Sequence, residues 1–129
     1  MKILLLIITL FLLTTNAYAE WTLYSSNING SVFFYDKSTM KRNGDKVKVW
    51  SYMNFLPDNE IAKSLNISSA RTLEEIDCVN ETRKALKIDS FTKNNLEGDM
   101  SDKTPTNPTI SYIAPDSTNA ILMKLVCKK

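Results

Sequence analysis

The chain contains only two cysteines, Cys78 and Cys127, and this pair limits the fold more than any other feature of the sequence. A bond between them is the only intramolecular pairing available. It would close a loop of about 50 residues, to which the chain-entropy model assigns roughly 4 kcal/mol of stability. A zinc site and a nucleophilic thiol are the alternatives. Since the chain has no histidine and no third cysteine, it lacks the usual ligands and the usual base for either.

Residues 1–19 have the three parts of a secretory signal peptide in their usual order. Lys2 supplies the positive start, an apolar run follows, and Ala17-Tyr18-Ala19 is a cleavage site. The apolar run covers about 11 residues, whereas a spanning helix needs about 20. We therefore expect export, cleavage after Ala19, and one mature domain of residues 20–129 without a membrane span. The oxidising compartment outside the cytoplasm favours a structural disulfide.

Charge gives no reason to expect a nucleic-acid partner. The chain has 16 basic and 14 acidic residues, and loss of Lys2 with the signal peptide leaves 15 basic residues and a net charge of +1. Charges of both signs are mixed along the chain without a long block of either.

The alternating stretch Lys46–Phe55 shows how most of the mature chain is built. Val47 and Val49 fall on one side and Trp50 and Tyr52 on the other, which is the period of a half-buried antiparallel strand. Similar runs predict further strands, at Trp21–Ser25, Ser31–Asp36, Arg71–Cys78 and Thr82–Thr92. Turn signals separate them, at Asn29-Gly30, Asn43-Gly44 and Asn80-Glu81.

The end of the chain is typical of a helix. Asp116 or Ser117 is a good N-cap directly after Pro115. The residues at helical spacing on one face are Thr118, Ile121, Leu122 and Leu125. An antiparallel sheet must cover its apolar face, and this helix is the only amphipathic element available to do so.

These elements predict an α+β fold, with an antiparallel sheet of about five or six strands backed by the C-terminal helix. If Ile76 and Cys78 face inward, the helix end that carries Cys127 lies over them. The disulfide would then fix the helix to the sheet. The polar segment Lys93–Thr109 is predicted to be a long connection.

A series of short motifs runs through nearly the whole mature chain: Trp21, Tyr35-Asp36, Gly44, Val47-Lys48-Val49-Trp50, Asp77-Cys78, Arg83, Pro115-Asp116-Ser117 and Val126-Cys127. Their order and spacing resemble the surface-adhesin protein E family of Gram-negative bacteria. The chain departs from that family at Tyr112, where members often have tryptophan, and at Asp116, where they often have glycine. It also lacks the lipidation cysteine of the best-known type of member.

The resemblance implies a sheet with a C-terminal helix, located in the periplasm or at the cell surface. It implies binding of host extracellular-matrix proteins, such as vitronectin or laminin. Some members bind haem, which this chain could hold only through tyrosine, methionine or apolar docking, because it has no histidine. No other cofactor and no metal is expected, and the sequence leaves a homodimer open.

Two groups of side chains are candidates for binding a partner. Arg83, Lys84 and Lys87 give the second hairpin a basic character that suits acidic or sulphated matrix ligands. The alternative is a solvated face with local ion pairs. Trp50 and Tyr52 are candidates for an aromatic contact surface, or else they belong to the core on the other side of the sheet.

The densest acidic cluster is Glu74, Glu75 and Asp77. Paired carboxylates can cleave glycosides, but on one strand Glu75 and Asp77 share a face and Glu74 points away. Cross-strand ion pairs explain the cluster more simply, so no catalytic residue is expected. The leading hypothesis is an exported, non-enzymatic, adhesin-like binding module. The alternative is a periplasmic protein that binds a small ligand such as haem or inhibits an enzyme.

Overall fold

The computed structural model describes residues 19–27 and 30–128, which form eight strands and two helices. The strands are β1 (Trp21–Ser26), β2 (Val32–Asp36), β3 (Lys41–Asn43), β4 (Lys46–Asn54), β5 (Ser69–Asp77), β6 (Thr82–Phe91), β7 (Met100–Asp102) and β8 (Ile110–Tyr112). The helices are α1 (Glu60–Ser64) and α2 (Thr118–Val126). The expected signal peptide up to Tyr18, and Asn29 of the first turn, lie outside the described residues.

All of these strands belong to one antiparallel sheet, with the order β1-β2-β4-β5-β6-β7 along its main path. β3 pairs with the start of β4, and β8 pairs with the start of β6. The centre of the sheet is the β4–β5 pair, whose register runs from Lys46 opposite Asp77 to Asn54 opposite Ser69. Each predicted strand is therefore present, and the α+β architecture is confirmed.

The β5–β6 turn shows how local chemistry sets this register. Oδ1 of Asp77 accepts hydrogen bonds from the backbone amides of Val79 and Asn80, at 3.0 and 2.9 Å. Glu81 then takes a φ of 54°, a left-handed conformation that reverses the chain. Because the turn is closed by a side chain, the two long strands are held in one alignment.

α2 lies on one face of the sheet, which we call the helix face. Val47, Val49 and Ile76 of that face are almost fully buried, as are Leu122 and Val126 of the helix. Cys78 and Cys127 are bonded, across a sequence separation of 49 residues. The predicted disulfide and the predicted helix cover are both confirmed.

The predicted inward face of α2 was partly wrong. Leu122 is buried as expected, but Ile121 is 40% exposed, and Ala120 and Val126 face the core instead. The disulfide at Cys127 fixes the rotation of this short helix. The side of the helix that carries Ala120, Leu122 and Val126 therefore faces the sheet, and the side chain of Ile121 remains partly exposed to solvent.

No pattern in the sequence marked β3, β7 or β8. Each has three residues, all of them exposed. Such pieces bury no side chains, so they have no hydrophobic period, and backbone pairing with the edges of β4 and β6 defines them. The segment Lys93–Thr109, predicted as a connection, therefore contains β7.

Candidate binding surface

The candidate binding residues divide between the two faces of the sheet. On β4, Trp50 and Tyr52 alternate with the buried valines and point away from α2. On β6, Lys84 and Lys87 share that side, and only Arg83 lies on the helix face. We call the side turned away from α2 the outer face.

An aromatic group covers one end of the outer face. The rings of Phe34 and Tyr52 are stacked, with centroids 4.5 Å apart, and Trp21 meets Tyr52 edge-on at 4.7 Å. Tyr52 is only 8% exposed, and its burial raises the pKa of its hydroxyl. Tyr52 is therefore mainly a packing residue, whereas Trp50 beside it stays partly exposed.

Arg71 organises the centre of the outer face. Its guanidinium carbon lies 5.5 Å from the centre of the Trp50 ring and 5.3 Å from that of Phe91. Its Nε donates to Oδ2 of Asp89 at 2.9 Å, and Asp89 is fully buried. Arg71 was not among the binding residues predicted from the sequence. Side chains alternate along β5, and in the observed register this alternation places Arg71 on the same side as Trp50. That alternation is the signal from which Arg71 could have been predicted.

Lysines surround this centre. Lys87 lies 3.0 Å from Asp89, and the hydrogen bond to Asp89 raises the pKa of Lys87, which therefore stays charged. Glu75 lies between Lys46 and Lys84, at 3.9 and 3.7 Å. The two pairs of Glu75 are partly exposed and contribute little to stability, whereas Lys87 is held by the buried carboxylate of Asp89.

The acidic cluster has the division that alternation predicts. Glu75 points to the outer face, and Glu74 points to the helix face, where Oε1 accepts from Nη2 of Arg83 at 2.6 Å. Hydrogen bonds from Asn80 hold the pKa of Asp77 below its usual value and tie this carboxylate to the turn. The three carboxylates therefore do not converge on one point where an acid and a base could act together.

The comparisons with known proteins agree with the motif order. The family model of surface-adhesin protein E matches residues 21–128. The chain belongs to the surface-adhesin protein E family. Membership implies an exported, surface-exposed protein that binds host proteins. No curated protein matches the sequence significantly.

Two solved structures of a family member, Haemophilus influenzae protein E, share the fold. Its crystal form II has a TM-score of 0.63 and 14% sequence identity, over 88% of this chain and 91% of that chain. Its selenomethionine form has a TM-score of 0.62 and 14% identity, over 88% and 89%. At this identity the likeness concerns the fold alone.

The backbone at Asp116, directly before the N-cap Ser117 of α2, is unusual. Its φ is 61°, in the left-handed region that glycine enters without steric cost. Aspartate tolerates this conformation better than most residues.

Two further observations bear on membranes and metals. Neither helix in the described part of the chain is long and apolar enough to cross a membrane. Between residues 19 and 128, outside the turn at 28–29, no group of three or more Cys, Asp or Glu side chains is placed to hold a metal ion.

Proposed function

We propose that this protein is a non-enzymatic adhesin that binds acidic or sulphated segments of host extracellular-matrix proteins through its outer face. The observation that carries the proposal is the arrangement of Trp50, which is partly exposed and held against Arg71. Lys48 lies two residues before it on the same side of β4, and Lys87 lies beyond Leu73 across the sheet. Aromatic side chains fixed in one orientation are typical energetic centres of protein interfaces. The lysines Lys46, Lys48, Lys84 and Lys87 supply a charge that suits an acidic partner.

The proposal includes the route to the surface. Residues 1–19 act as a signal peptide that is removed after Ala19, and the mature domain of residues 20–129 is then displayed on a Gram-negative cell. Protease treatment of intact cells tests this step. We expect rapid loss of the protein while a periplasmic marker survives. Survival of both would instead favour the periplasmic alternative, a small-ligand carrier or an enzyme inhibitor.

The binding test uses immobilised vitronectin and laminin with the purified, oxidised protein. Trp50→Ala removes the aromatic centre, and we expect affinity to fall by about 2 kcal/mol, close to 30-fold. The double variant Lys48→Ala/Lys84→Ala should slow association and weaken the dependence of binding on salt. A thermal melt of each variant checks that the fold is retained.

The matched control removes the same charge from the helix side. Lys124 and Lys128 are both exposed, on or just after α2. Lys124→Ala/Lys128→Ala should leave the affinity and its salt dependence unchanged. Equal losses in the two double variants would mean that net charge matters rather than the outer face, and the proposal would be wrong.

A further inference from the structure

Asp36, the last residue of β2, carries a carboxylate that is almost completely buried, since only 1% of the residue is exposed. Its oxygens accept four hydrogen bonds at 2.6–3.0 Å. The donors are the backbone nitrogen of Glu20, the backbone nitrogen and hydroxyl of Ser38, and the hydroxyl of Thr39. Burial alone would raise the pKa of Asp36, but these bonds outweigh it and lower the pKa. The buried group is therefore a charged carboxylate at neutral pH.

The charge of this carboxylate has no counter-ion within residues 19–27 and 30–128. Its four hydrogen-bond donors are neutral amides and hydroxyls. No lysine or arginine in this part of the chain forms an ion pair with Asp36. Because a buried charge is costly unless an opposite charge accompanies it, Asp36 needs a cation that these side chains do not supply.

The backbone nitrogen of Glu20 is the one donor that can become a cation. It lies 3.0 Å from Oδ1 of Asp36. Cleavage after Ala19, which the sequence predicts, would convert this nitrogen from an amide into the α-amine of the mature chain. An α-amine has an ordinary pKa of about 7.7–8.0, so it is mostly protonated at neutral pH. The predicted cut would therefore place a positive charge on an atom that already contacts the buried carboxylate.

The position of the cut decides whether the amine reaches the carboxylate. Trp21, the first residue of β1, pairs with Asp36 across the two strands, so the sheet fixes the backbone directly after Glu20. Cleavage one residue later would remove the contacting nitrogen. Cleavage three residues earlier would leave the amine on a tail of up to about 10 Å. Only a chain that begins at Glu20 has its amine at this carboxylate.

We propose that Asp36 is a binding site for the mature N-terminus, so that removal of the signal peptide itself stabilises the domain. The precursor has a neutral hydrogen bond at this position, and the mature chain has an ion pair. Since signal peptides are removed on export, the domain gains its full stability only outside the cytoplasm. This inference rests on the proposed cleavage after Ala19, but it does not depend on the adhesive role of the outer face.

The test compares three forms of the purified, oxidised domain that differ only at the N-terminus. One begins at Glu20 with a free amine, one begins there with an acetylated amine, and one begins at Ala17. Acetylation keeps the hydrogen bond of the precursor but removes the charge. The longer chain keeps the charge but moves it by up to about 10 Å, beyond the Debye length of about 8 Å at 0.15 M salt.

We expect the form with the free amine at Glu20 to have an unfolding equilibrium constant in urea about tenfold smaller than the other two. This is the difference between a charged and a neutral hydrogen bond. Equal constants for the free and the acetylated amine would mean that the charge contributes nothing, and the proposal would be wrong. This comparison needs no substitution, so it decides the matter even if a variant of Asp36 does not fold.

Two aspartates give matched variants. Asp36→Asn keeps the shape of the side chain and removes its charge, so the three forms should then unfold with equal constants. Asp58→Asn makes the same change on an exposed loop, and the tenfold difference should remain. An equal difference in both variants would show that another group receives the amine, which contradicts the proposal.

Sequencing of the exported protein checks the cut itself. We expect the mature chain to begin at Glu20, and a different first residue would overturn the inference while leaving the outer face intact as a binding surface. Conversely, a failure to bind vitronectin or laminin would leave the three unfolding constants unchanged. The two proposals can therefore fail separately.

Discussion

The guanidinium of Arg71 lies against the ring of Trp50, with its carbon 5.5 Å from the ring centre, while its Nε holds the buried carboxylate of Asp89. One side chain thus holds both the Trp50 ring on the outer face and the buried carboxylate of Asp89. Because the guanidinium is planar and forked, it can stack and hydrogen-bond at the same time, which a lysine cannot do.

Replacement of Arg71 should therefore weaken the fold. Arg71→Ala leaves Asp89, which is fully buried, with Lys87 as its remaining ion-pair partner. We expect the free energy of unfolding in urea to drop by about 1–3 kcal/mol. Lys48→Ala on the same face is the control, and its effect should stay below about 0.5 kcal/mol. Similar losses for the two variants would show that Arg71 does not support Asp89.

The disulfide should carry a large share of the stability. Removing it with Cys78→Ala/Cys127→Ala frees a loop of 49 residues in the unfolded chain, at a cost of roughly 4 kcal/mol in the chain-entropy model. Chemical unfolding of the oxidised protein and of the double variant measures the difference. Mass spectrometry without reduction should find one linked peptide pair, and two free thiols would contradict the structure.

The helix orientation can be tested with two neighbouring residues. Leu122 is fully buried and Ile121 is 40% exposed. Leu122→Ala should therefore cost about 2–5 kcal/mol, whereas Ile121→Ala should cost less than about 1 kcal/mol. Thermal or urea unfolding provides the comparison. Similar losses for the two variants would mean that Ile121 is buried together with Leu122, as the sequence predicted.

Asp36 should make stability depend on pH. It is 1% exposed, and burial alone raises its pKa. Hydrogen bonds from the hydroxyls of Ser38 and Thr39 and from the backbone amides of Glu20 and Ser38 outweigh burial and hold the pKa below its usual value. Since the folded pKa is lowered, the stabilisation is full above the unfolded pKa of about 3.9. It is lost as the pH falls through the folded pKa.

The measurement compares the wild type with Asp36→Asn in urea from neutral pH downward. Their difference in unfolding free energy should be largest above about pH 4 and shrink below it. Asp58→Asn, on an exposed loop, is the control and should change stability little at neutral pH. A difference between wild type and Asp36→Asn that stays constant at every pH would contradict the role of Asp36.

The carboxylate of Asp36 also contacts the residue that follows the proposed cleavage site. The backbone nitrogen of Glu20 donates to Oδ1 of Asp36 at 3.0 Å. After cleavage following Ala19 this nitrogen becomes a charged amine, so the hydrogen bond becomes an ion pair. N-terminal acetylation of the mature protein should therefore reduce the stabilisation that Asp36 provides.

Much of the fold could be predicted from the sequence because the long strands bury one side. Val47 and Val49 alternate with polar residues, and the hairpin turns carry recognisable residues. Each of the short edge strands, such as β8, is defined by its partner strand, so no local pattern marked it. Ala120 was not predicted to lie on the buried face of α2, because its small side chain contributes little to the periodic pattern of apolar residues.

The candidate sites were harder to predict, because they depend on register. Lys84 and Arg83 are adjacent in sequence and looked like one basic group, but alternation places them on opposite faces. Arg71 was overlooked because its role depends on the strand beside it. Glu74 looked like part of an acidic cluster until its pairing with Arg83 placed it on the helix face.

The most direct test of the outer face as the binding surface is site-specific crosslinking on intact cells. A photoreactive residue replaces Lys48 on the outer face in one strain and Lys124 on α2 in another, and vitronectin or laminin is added before illumination. We expect a covalent adduct with the matrix protein from position 48 and none from position 124. Adducts from position 124 alone, or from neither position, would contradict the outer face as the site of adhesion.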